Sequence, residues 1–588
     1  MARPSSLTVT DRALTVKAYR GDGCVMIAMN LAESACDGLA GFAIARSADG
    51  KNFSYAKNRL GFDPSTGAYA TQDPNQQLAD AQPSSRAPYQ KFRWVDYPPD
   101  ERAASCTYRV EAMYFASGTS PTAGGQPALT VRYSVTFRIE LHGDAYSNFA
   151  IGFTRGYISS QAFADRFAGV KTMRPNGLQG TEVVTYSTKT TIPGMKPPVV
   201  TWHDMYLWLG AGGRKILSNF TQTLKDERSD FDVFAYDLDE PDFINFVAGC
   251  ARAGRQVRMI LDNSTLHTKT GAREILSAKV LAAAGVDLRR GHFRRYAHDK
   301  CIIERDRKGN AVRVLTGSAN FSVRGLYVQS NSLIVIEDPQ VAALYGTAFD
   351  EAWSDMSQFA HSEIAAKWFD ARGAGIPPFS VSFAPHTSAS VSLDRVAAEI
   401  RNAKSSVLFA VMELRGGGDV IGELTSLQQR DDIFSYGVTQ TTQGIKFYKS
   451  GGGNGLLVPF SYLAAHVPAP FSTEWSGGEG QVIHHKFVVI DFNGPSPLVY
   501  CGSSNFAKGS EERNGDNLLE IRDRAVAALY AVEAVQLVDH YEFRVVQSNA
   551  TQSRPLVLQG PSPARLPWWK SSYDPNNIKN RERELFVS

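Results

Sequence analysis

The chain has 588 residues, a net charge of +3, and ordinary shares of hydrophobic (43%) and charged (21%) residues. Its length excludes a single hydrophobic core, because cores stop growing beyond about 250–300 residues, so two to four compact units are expected. The near-neutral charge excludes a surface coated in basic residues for non-specific DNA binding, but it leaves room for a local basic groove.

Neither a zinc site nor a membrane span is predicted. The six cysteines show no CxxC spacing and no Cys/His ligand cluster. The N-terminal residues MARPSSLTVTDRALTVKAY lack the apolar core of a signal peptide. No apolar run reaches the roughly 18 residues that a membrane helix needs. We therefore expect a cytoplasmic protein, with export by a route that needs no cleaved signal left open.

Residues 1–145 are predicted to form an all-β domain. Short alternating apolar runs, such as CVMIAMNL, GFAIARS and VRYSVTFRIEL, are separated by turn-rich stretches such as SADGKN. Several short strands at regular spacing predict a β-sandwich. The strand cadence, together with Trp94 and Tyr108, resembles a fibronectin type III domain.

The remaining chain is predicted to be α/β. Residues 146–200 include a Gly-, Pro- and Thr-rich stretch and are predicted to be a linker or covering arm with one or two short helices. After residue 200, strands such as DVFAYDLDE and QVRMILDN alternate with helical segments, which predicts mixed sheets flanked by helices. We predict two pseudo-symmetric lobes, 201–375 and 376–588, with a C-terminal tail in the second.

An internal duplication relates these lobes. The first carries AHDKCIIERD, VLTGSANFS and SNSLIVIEDPQVAALY, and the second carries IHHKFVVIDF, VYCGSSNFA and GDNLLEIRDRAVAALY. The histidine of HxK precedes the asparagine of GSxN by 22 residues in the first copy and by 21 in the second. Since chance does not produce these ordered blocks twice, we predict that both lobes face one shared cleft.

The repeated motifs predict chemistry at phosphorus. Residues two apart on a strand point to one face, so His298 projects with Lys300, and His484 with Lys486. By the same rule each GSxN motif offers two neutral hydrogen-bond donors to an oxyanion, from Ser318, Asn320, Ser503 and Asn505. One neutral histidine can attack phosphorus to give a phosphohistidine, while the other protonates the leaving alkoxide. The lysines neutralise the charge that Mg²⁺ would otherwise neutralise, so no metal and no cofactor is expected.

HxKxxxxD followed by GSxN, present twice, resembles the signature of the phospholipase D superfamily over roughly residues 200–545. The second copy matches in full with Asp491, whereas the first has Arg305 at that position. The resemblance implies the fold, the phosphohistidine chemistry and the metal independence of that superfamily, and a supporting role for Asp491. Both half-sites lie in one chain, which is compatible with a monomer.

A carboxylate often lies about 11 residues past the GSxN asparagine in this superfamily and orients a catalytic imidazole. Asp516 occupies that position in the second copy, and Asn331 in the first. We expect Asp516 to support His484 of its own copy, because a carboxylate makes an imidazole more basic and fixes its tautomer. By family analogy His298 is assigned as the nucleophile and His484 as the acid and base.

Several residues outside the motifs are expected to have structural rather than catalytic roles. His485 is predicted to pack on the opposite strand face from His484. The acidic cluster 237–242 is expected to cap a helix rather than bind a cation. Trp568 and Trp569 are expected to pack the tail onto the body rather than contact a membrane.

Three functions fit the motifs. Hydrolysis or transfer on a phospholipid headgroup is favoured by the near-neutral charge, and peripheral membrane contact is compatible with it. An endonuclease acting on DNA or RNA is the alternative, because the basic stretch DLRRGHFRRYAHDK before the first motif could contact a phosphate backbone. An inactive scaffold or binding protein is the third, although the intact histidine and lysine pairs argue against it.

Overall fold

The structure is a computed structural model. It describes residues 5–62, 81–98, 103–116, 127–141, 145–156, 163, 166–167, 170, 172–175, 184–194, 199–451, 455–459, 461, 482–550 and 556–588. All six cysteines are buried and unpaired. Among the described residues, no helix combines the length and the hydropathy that a membrane span requires.

Two antiparallel four-stranded sheets form the N-terminal domain and confirm the all-β prediction; the likeness to fibronectin type III stays a prediction. The strands are β1 (Ser6–Asp11), β2 (Leu14–Arg20), β3 (Val25–Leu31), β4 (Leu39–Ser47), β5 (Ser54–Tyr55), β6 (Lys57–Asn58), β7 (Gln82–Pro83), β8 (Arg93–Asp96), β9 (Ser105–Phe115) and β10 (Leu129–Glu140). One sheet has the order β1–β2–β3–β8 and the other β10–β9–β4–β5, with β6 and β7 paired beside them. Alternating residues such as Val16, Ile27, Ile44 and Val110 are fully buried between the sheets.

Two mixed sheets form the lobes. Their strands are β11 (Phe149–Phe153), β12 (Asp230–Ala235), β13 (Val257–Asp262), β14 (Asp287–Gly291), β15 (Tyr296–Ala297), β16 (Cys301–Arg305), β17 (Ala311–Gly317), β18 (Ser332–Ile336), β19 (Phe369–Ala371), β20 (Phe379–Ala384), β21 (Ser406–Val411), β22 (Phe434–Gln440), β23 (Gly444–Lys449), β24 (Leu456–Pro459), β25 (Lys486–Ile490), β26 (Leu498–Gly502) and β27 (Asn514–Ile521).

The helices cover these sheets and connect their strands. They are α1 (Trp202–Glu227), α2 (Pro241–Arg252), α3 (Thr265–Thr268), α4 (Arg273–Ala283), α5 (Val323–Tyr327), α6 (Pro339–Asp355), α7 (Ser390–Arg401), α8 (Asp419–Ser426), α9 (Lys508–Glu511), α10 (Arg524–Ser548) and α11 (Ile578–Val587). Short 3-10 helices lie at Glu33–Ala35, Phe359–His361, Glu363–Ala365, Leu427–Gln429 and Lys570–Tyr573.

The two lobes repeat one strand order, which confirms the predicted α/β fold with two related lobes. The first sheet runs β11–β18–β17–β16–β12–β13–β14, and the second runs β20–β27–β26–β25–β21–β22–β23 with β19 and β24 added at its edges. In both, two neighbouring strands that start the lobe are parallel, β12 with β13 and β21 with β22, while the HxK strand joins antiparallel. Equivalent residues can therefore be matched through the strand register.

The predicted boundaries shift in three places. The range 146–200, expected to be a linker, contributes β11, which pairs with β18 at the edge of the first sheet. β19 precedes the expected boundary at 375/376 but belongs to the second sheet, and β15 pairs with β27 of that same sheet. These strands were misjudged because they are only two to five residues long and show no clear alternating period.

The sandwich is fastened to the second lobe and to the C-terminal tail. The guanidinium of Arg93, on β8, is 3% exposed and pairs with Asp539 of α10 and Glu582 of α11. Trp569 of the tail is buried in the core of the sandwich, and the Trp568 indole donates to the Leu39 carbonyl at 2.9 Å. The expected packing of this tail onto the body is confirmed, with the sandwich as its partner.

We predict that Arg93 holds this junction. Arg93→Ala leaves two partly buried carboxylates without their cation and should lower the free energy of unfolding by about 3 kcal/mol in denaturant titrations. Lys91→Ala is the matched control, since the Lys91 side chain is 48% exposed and pairs with Asp539 at 3.3 Å. Its loss should stay below about 1 kcal/mol; equal losses for the two variants would contradict the prediction.

Candidate active site

In each lobe, the segment before the HxK histidine pairs with residues of the other lobe. β15, just before His298, pairs in parallel with the start of β27 in the second lobe. On the other side Ile483, just before His484, forms a parallel bridge with Ser330 of the first lobe. The backbone amide of His484 donates to the Ser330 carbonyl at 3.2 Å. This crossing brings the two HxK turns to one place between the sheets.

The four predicted catalytic side chains are buried in this place. His298 is 5% exposed, His484 3%, and Lys300 and Lys486 1% each. The Lys486 ammonium donates to the carbonyl of His484 at 2.8 Å, and the Lys300 ammonium donates to the carbonyl of His298. Each lysine thus turns back over the histidine of its own motif, as the strand period predicts.

The two ammonium groups disfavour protonation of the two imidazoles. Burial lowers the pKa of both imidazoles well below the usual value, and the ammonium groups of Lys300 and Lys486 lower it further. Burial also lowers the pKa of Lys300 to about 8, and burial together with the charge of Lys300 lowers that of Lys486. An anion among these groups would reverse the shifts, because it favours the protonated form of every one of them.

The histidine supports are exchanged between the lobes, which corrects the expectation that Asp516 supports His484. Asp516 lies 2.7 Å from Nδ1 of His298, and Asn331 lies 2.7 Å from Nδ1 of His484. The cause is the crossing of the strands, which places the start of each HxK motif beside the opposite lobe. His298 therefore has a carboxylate at Nδ1, and His484 has a neutral amide.

The GSxN turns approach the next strand closely. A Cβ on Gly317 would lie 2.2 Å from the Ser332 carbonyl oxygen, and one on Gly502 would lie 2.4 Å from that of Asn517. Their φ angles, +141° and +144°, also disfavour any other residue. Glycine is therefore required at both equivalent positions.

The serines of these turns act within the protein. Ser318 Oγ donates to Asn331 Oδ1 at 2.8 Å and accepts from the backbone amide of Ser332 at 3.0 Å. Ser503 Oγ accepts from the backbone amide of Asn517 at 2.9 Å. Because the Ser318 hydroxyl proton is directed to Asn331, this serine supports His484 and does not offer the oxyanion donor that the strand pattern predicts.

The asparagines of the same turns keep one free polar atom each. Asn320 Nδ2 donates to Asp237 Oδ2 at 2.7 Å. Within the described part of the chain, Oδ1 of Asn320 and Oδ1 of Asn505 are buried without a hydrogen-bond partner. Since an amide nitrogen carries two protons, Asn320 retains one donor for a substrate oxygen, and that role stays a prediction for both asparagines.

Asp491 lies at the far end of its strand from His484. Its carboxylate accepts from the backbone amides of residues 404–406 at 2.7–3.1 Å and from the Ser405 hydroxyl at 2.9 Å. At the equivalent position, the Arg305 guanidinium pairs with Asp232 and with Asp350 at 3.0 Å. Both residues fasten the base of an HxK strand, which agrees with the supporting role expected of Asp491.

His267 and Asp262 escaped the sequence analysis, and the role of Asp237 was misassigned. His267, on α3, lies between Asp262 at 2.7 Å and Asp237 at 2.8 Å. Asp237 had been taken for a helix-capping residue; within that cluster the capping residue of α2 is Glu240, which accepts from the Phe243 amide at 2.6 Å. The available signal was that parallel strand β13 ends at Asp262 and that Asp237 follows the end of β12 by two residues, at the same edge of the sheet.

Asp237, His267 and Glu274 offer ligand atoms within 4.8 Å of one another. Both ring nitrogens of His267 already meet carboxylates, and although burial opposes it, these contacts raise its pKa to about 10. A doubly protonated imidazole has no lone pair for a metal. We therefore describe these groups as an ion pair.

His485 packs away from the site, as predicted. It is fully buried, and its Nε2 lies 2.8 Å from Glu533 Oε1 on α10. Burial lowers its pKa to about 3 and raises that of Glu533 to about 8. At neutral pH the pair therefore carries its proton on the acid and fastens α10 to the second HxK strand.

The family model described as "Cardiolipin synthase, PLD-like domain" matches residues 220–353 and 459–538. These two segments contain every residue of the site named above except those of the loop at 404–406. No curated protein matches the chain.

Several solved structures are similar to parts of the chain. Nuc from Salmonella typhimurium, a phospholipase D family member, has 25% identity, covers 25% of this chain and 86% of its own, and gives a TM-score of 0.21. Phosphatidylserine synthase from Haemophilus influenzae has 12% identity over 62% of this chain and 90% of its own, with a TM-score of 0.36. Yeast tyrosyl-DNA phosphodiesterase has 10% identity over 52% and 87%, with a TM-score of 0.29.

We predict opposite effects for the two aspartates that follow the second HxK motif. Asp491→Ala strips the acceptor from three backbone amides and should lower the free energy of unfolding by about 1–3 kcal/mol, with kcat on a chromogenic phosphodiester changed less than about twofold. Asp516→Asn should lower kcat about 10–100-fold.

The two substitutions should also differ in their effect on the free energy of unfolding. Burial raises the pKa of Asp516 to about 7 in the folded protein, above the value of about 3.9 in an unfolded chain. The folded state therefore binds this proton more tightly, and the ionised carboxylate costs stability as pH rises from 4 towards 7. Asp516→Asn should not lose stability at pH 8; a loss of kcat in Asp491→Ala without one in Asp516→Asn would contradict this division.

Proposed function

We propose that this chain, which matches a phospholipase D-like family model over residues 220–353 and 459–538, is a metal-independent phosphodiesterase with a phosphohistidine intermediate. The supporting observation is the buried cluster of two imidazoles and two ammonium groups between the lobes, in which both ammonium groups lower the pKa of both imidazoles. A bound phosphodiester anion would favour the protonated form of every one of these groups.

His298 is the proposed nucleophile. Asp516 accepts the proton on Nδ1, so the lone pair of Nε2 is free to attack phosphorus. The imidazole gains positive charge as the N–P bond forms, and the neighbouring carboxylate stabilises that charge. His298 thus keeps the role expected from the sequence. The reason for that role differs, because the carboxylate of Asp516 supports the nucleophile rather than the acid.

His484 is the proposed acid and base. Asn331 holds its Nδ1 proton, so Nε2 carries the mobile one. Its low pKa makes the protonated form a strong acid once a bound phosphodiester has raised proton affinity in the cluster. It gives this proton to the leaving alkoxide as the P–O bond breaks, then takes one from water, whose oxygen attacks phosphorus and releases His298.

The lysines and asparagines stabilise the negative charge. Lys300 and Lys486 each use one ammonium proton on a backbone carbonyl and keep two for the non-bridging oxygens. Asn320 and Asn505 add neutral donors. This set performs the charge neutralisation without a metal ion.

We propose a phospholipid as the substrate, hydrolysed or transferred at the headgroup by a monomer that contacts the membrane peripherally. The arginines that favoured a nuclease are engaged within the protein. Arg289 contacts Trp353, Arg290 donates to the carbonyls of Asp262 and His267 at 3.0 and 3.1 Å, and Arg295 donates to Asn514 at 2.7 Å. Three of the four arginines in this stretch are therefore held by partners within the protein, while Arg294 is exposed, so the stretch offers a nucleic-acid backbone less free basic surface than its sequence suggests.

The test combines substrate choice with trapping of the intermediate. Wild type is assayed without metal on phosphatidylcholine vesicles and on single- and double-stranded DNA. We expect lipid cleavage, and a drop of about 10⁴-fold in His484→Ala, because both proton transfers are lost. The reaction is quenched without acid, and the phosphorylated residue is mapped by mass spectrometry.

The outcomes separate the parts of the proposal. A phosphoryl group on His298 is expected, and one on His484 would reverse the two roles. DNA cleavage without lipid cleavage would identify an endonuclease. Equal activity in wild type and His484→Ala would contradict the proposed mechanism. No cleavage of any diester would contradict the enzymatic proposal and favour a binding protein; His361→Ala, at an exposed histidine, is the control.

A further inference from the structure

A third histidine forms a bridge between two aspartates beside the active site. His267 is 3% exposed, with Asp262 2.7 Å from Nδ1 and Asp237 2.8 Å from Nε2. With both nitrogens facing carboxylates, the ring must carry two protons to satisfy them. It is therefore a buried imidazolium between two anions.

The two aspartates reach the catalytic elements of the first lobe. The other oxygen of Asp262 accepts from the backbone amide of Ala297, the residue before His298, at 2.7 Å. The other oxygen of Asp237 accepts from Asn320 Nδ2 at 2.7 Å. His267 thus links the HxK turn and the GSxN turn through two hydrogen-bonded carboxylates.

The second lobe has a neutral counterpart of this bridge. By strand register, Gln440 is equivalent to Asp262, since Leu261 pairs with Ala235 and Thr439 pairs with Val411. Gln440 Oε1 accepts from the backbone amide of Val482, two residues before His484, at 2.7 Å. An amide is therefore enough to hold the turn.

The residue equivalent to Asp237 also differs in the second lobe. Its equivalent by register is Glu413, which pairs with its neighbour Arg415 at 2.9 Å. No histidine joins Gln440 to Glu413 among their described contacts. Within the part of the chain that the structure describes, the charged bridge occurs in the lobe that holds His298.

Charged and titratable groups face both histidines from several elements. Those around His267 are Asp237, Asp262, Glu274, Tyr236, whose ring lies 4.4 Å away, and Arg290, which donates to its carbonyl. Those around His298 are Asp516, Asp237, Asp262, Lys300, Lys486, His484 and Tyr236. The charges of Asp237 and Asp262 raise the pKa of His298 against burial and the two lysines, so their compensation by His267 matters to the reacting imidazole.

We propose that His267 is a positioning residue whose imidazolium fixes the HxK and GSxN turns of the first lobe and compensates the two aspartates beside His298. The proposal rests on the function proposed above only for the consequence to catalysis. The positioning and the charge compensation belong to the protein without substrate, so they can be measured separately from activity.

The first test measures the pKa of His298 by ¹⁵N NMR titration of the full chain without substrate. His267→Gln removes the positive charge and keeps a polar side chain. We expect the pKa of His298 to rise by about one pH unit, because two uncompensated carboxylates favour its protonated form. His361→Gln, on an exposed residue, should leave it unchanged.

The second test is kinetic. Since His298 must be neutral to attack, the acid limb of kcat/KM in His267→Gln should move to higher pH by the same amount. We expect kcat at pH 7 to fall about 10–100-fold, as for other groups that orient a reacting residue, with KM changed less than about threefold. Adding Asp237→Asn to His267→Gln should bring the acid limb part of the way back.

Each outcome decides between the claims. An unchanged pKa of His298 in folded His267→Gln would overturn the charge compensation, and an unchanged kcat would overturn the positioning role. Loss of wild-type activity in a chelator, restored by Zn²⁺ or Mn²⁺, would overturn it too. If His267→Gln does not fold, Asp237→Asn alone should lower the pKa of His298, and no shift would refute the compensation. A shifted pKa in a protein that cleaves no phosphodiester would refute the proposed function and leave the positioning role standing.

Discussion

The active site depends on one constraint, the exchange of strand segments between the lobes. β15 pairs with β27 of the second lobe, and Ile483 bridges to Ser330 of the first. Because these pairs lie directly before the two HxK motifs, each histidine is held by a residue from the opposite lobe. Neither lobe contains a complete half-site. The duplicated fold thus gives one site, and its two halves cannot separate without losing both histidine supports.

Because of this exchange, small sequence differences between the lobes give His298 and His484 different surroundings. His298 has Asp516 at Nδ1 and Asp237 and Asp262 nearby, whereas His484 has the amide of Asn331 and a turn held by Gln440. The first environment stabilises an imidazole that gains positive charge, and the second keeps an imidazole that readily releases a proton. A symmetric backbone therefore provides two different environments for the roles proposed for the two histidines, with the lysines common to both.

Much of this could be predicted from the sequence, because it depends on local periodicity. The strand period placed His298 with Lys300 and His484 with Lys486, and the repeated motifs indicated two lobes of one fold. The partner of Asp516 could not be predicted, since it depends on pairing between strands more than 200 residues apart. The same limit applies to Ser318, whose hydroxyl donates to Asn331, and to His267, a single histidine on a four-residue helix. β11 was missed because a five-residue edge strand has no clear alternating period, and its residues were interpreted as part of a short helix.

The exchange of supports is tested most directly by one substitution, Asn331→Asp, followed by ¹⁵N NMR titration of both catalytic histidines. A carboxylate at residue 331 should raise the pKa of the imidazole that it contacts by about 1–2 pH units. The account predicts that the pKa of His484 rises and that of His298 changes little. A rise at His298, the histidine of the same lobe as residue 331, with none at His484 would contradict it.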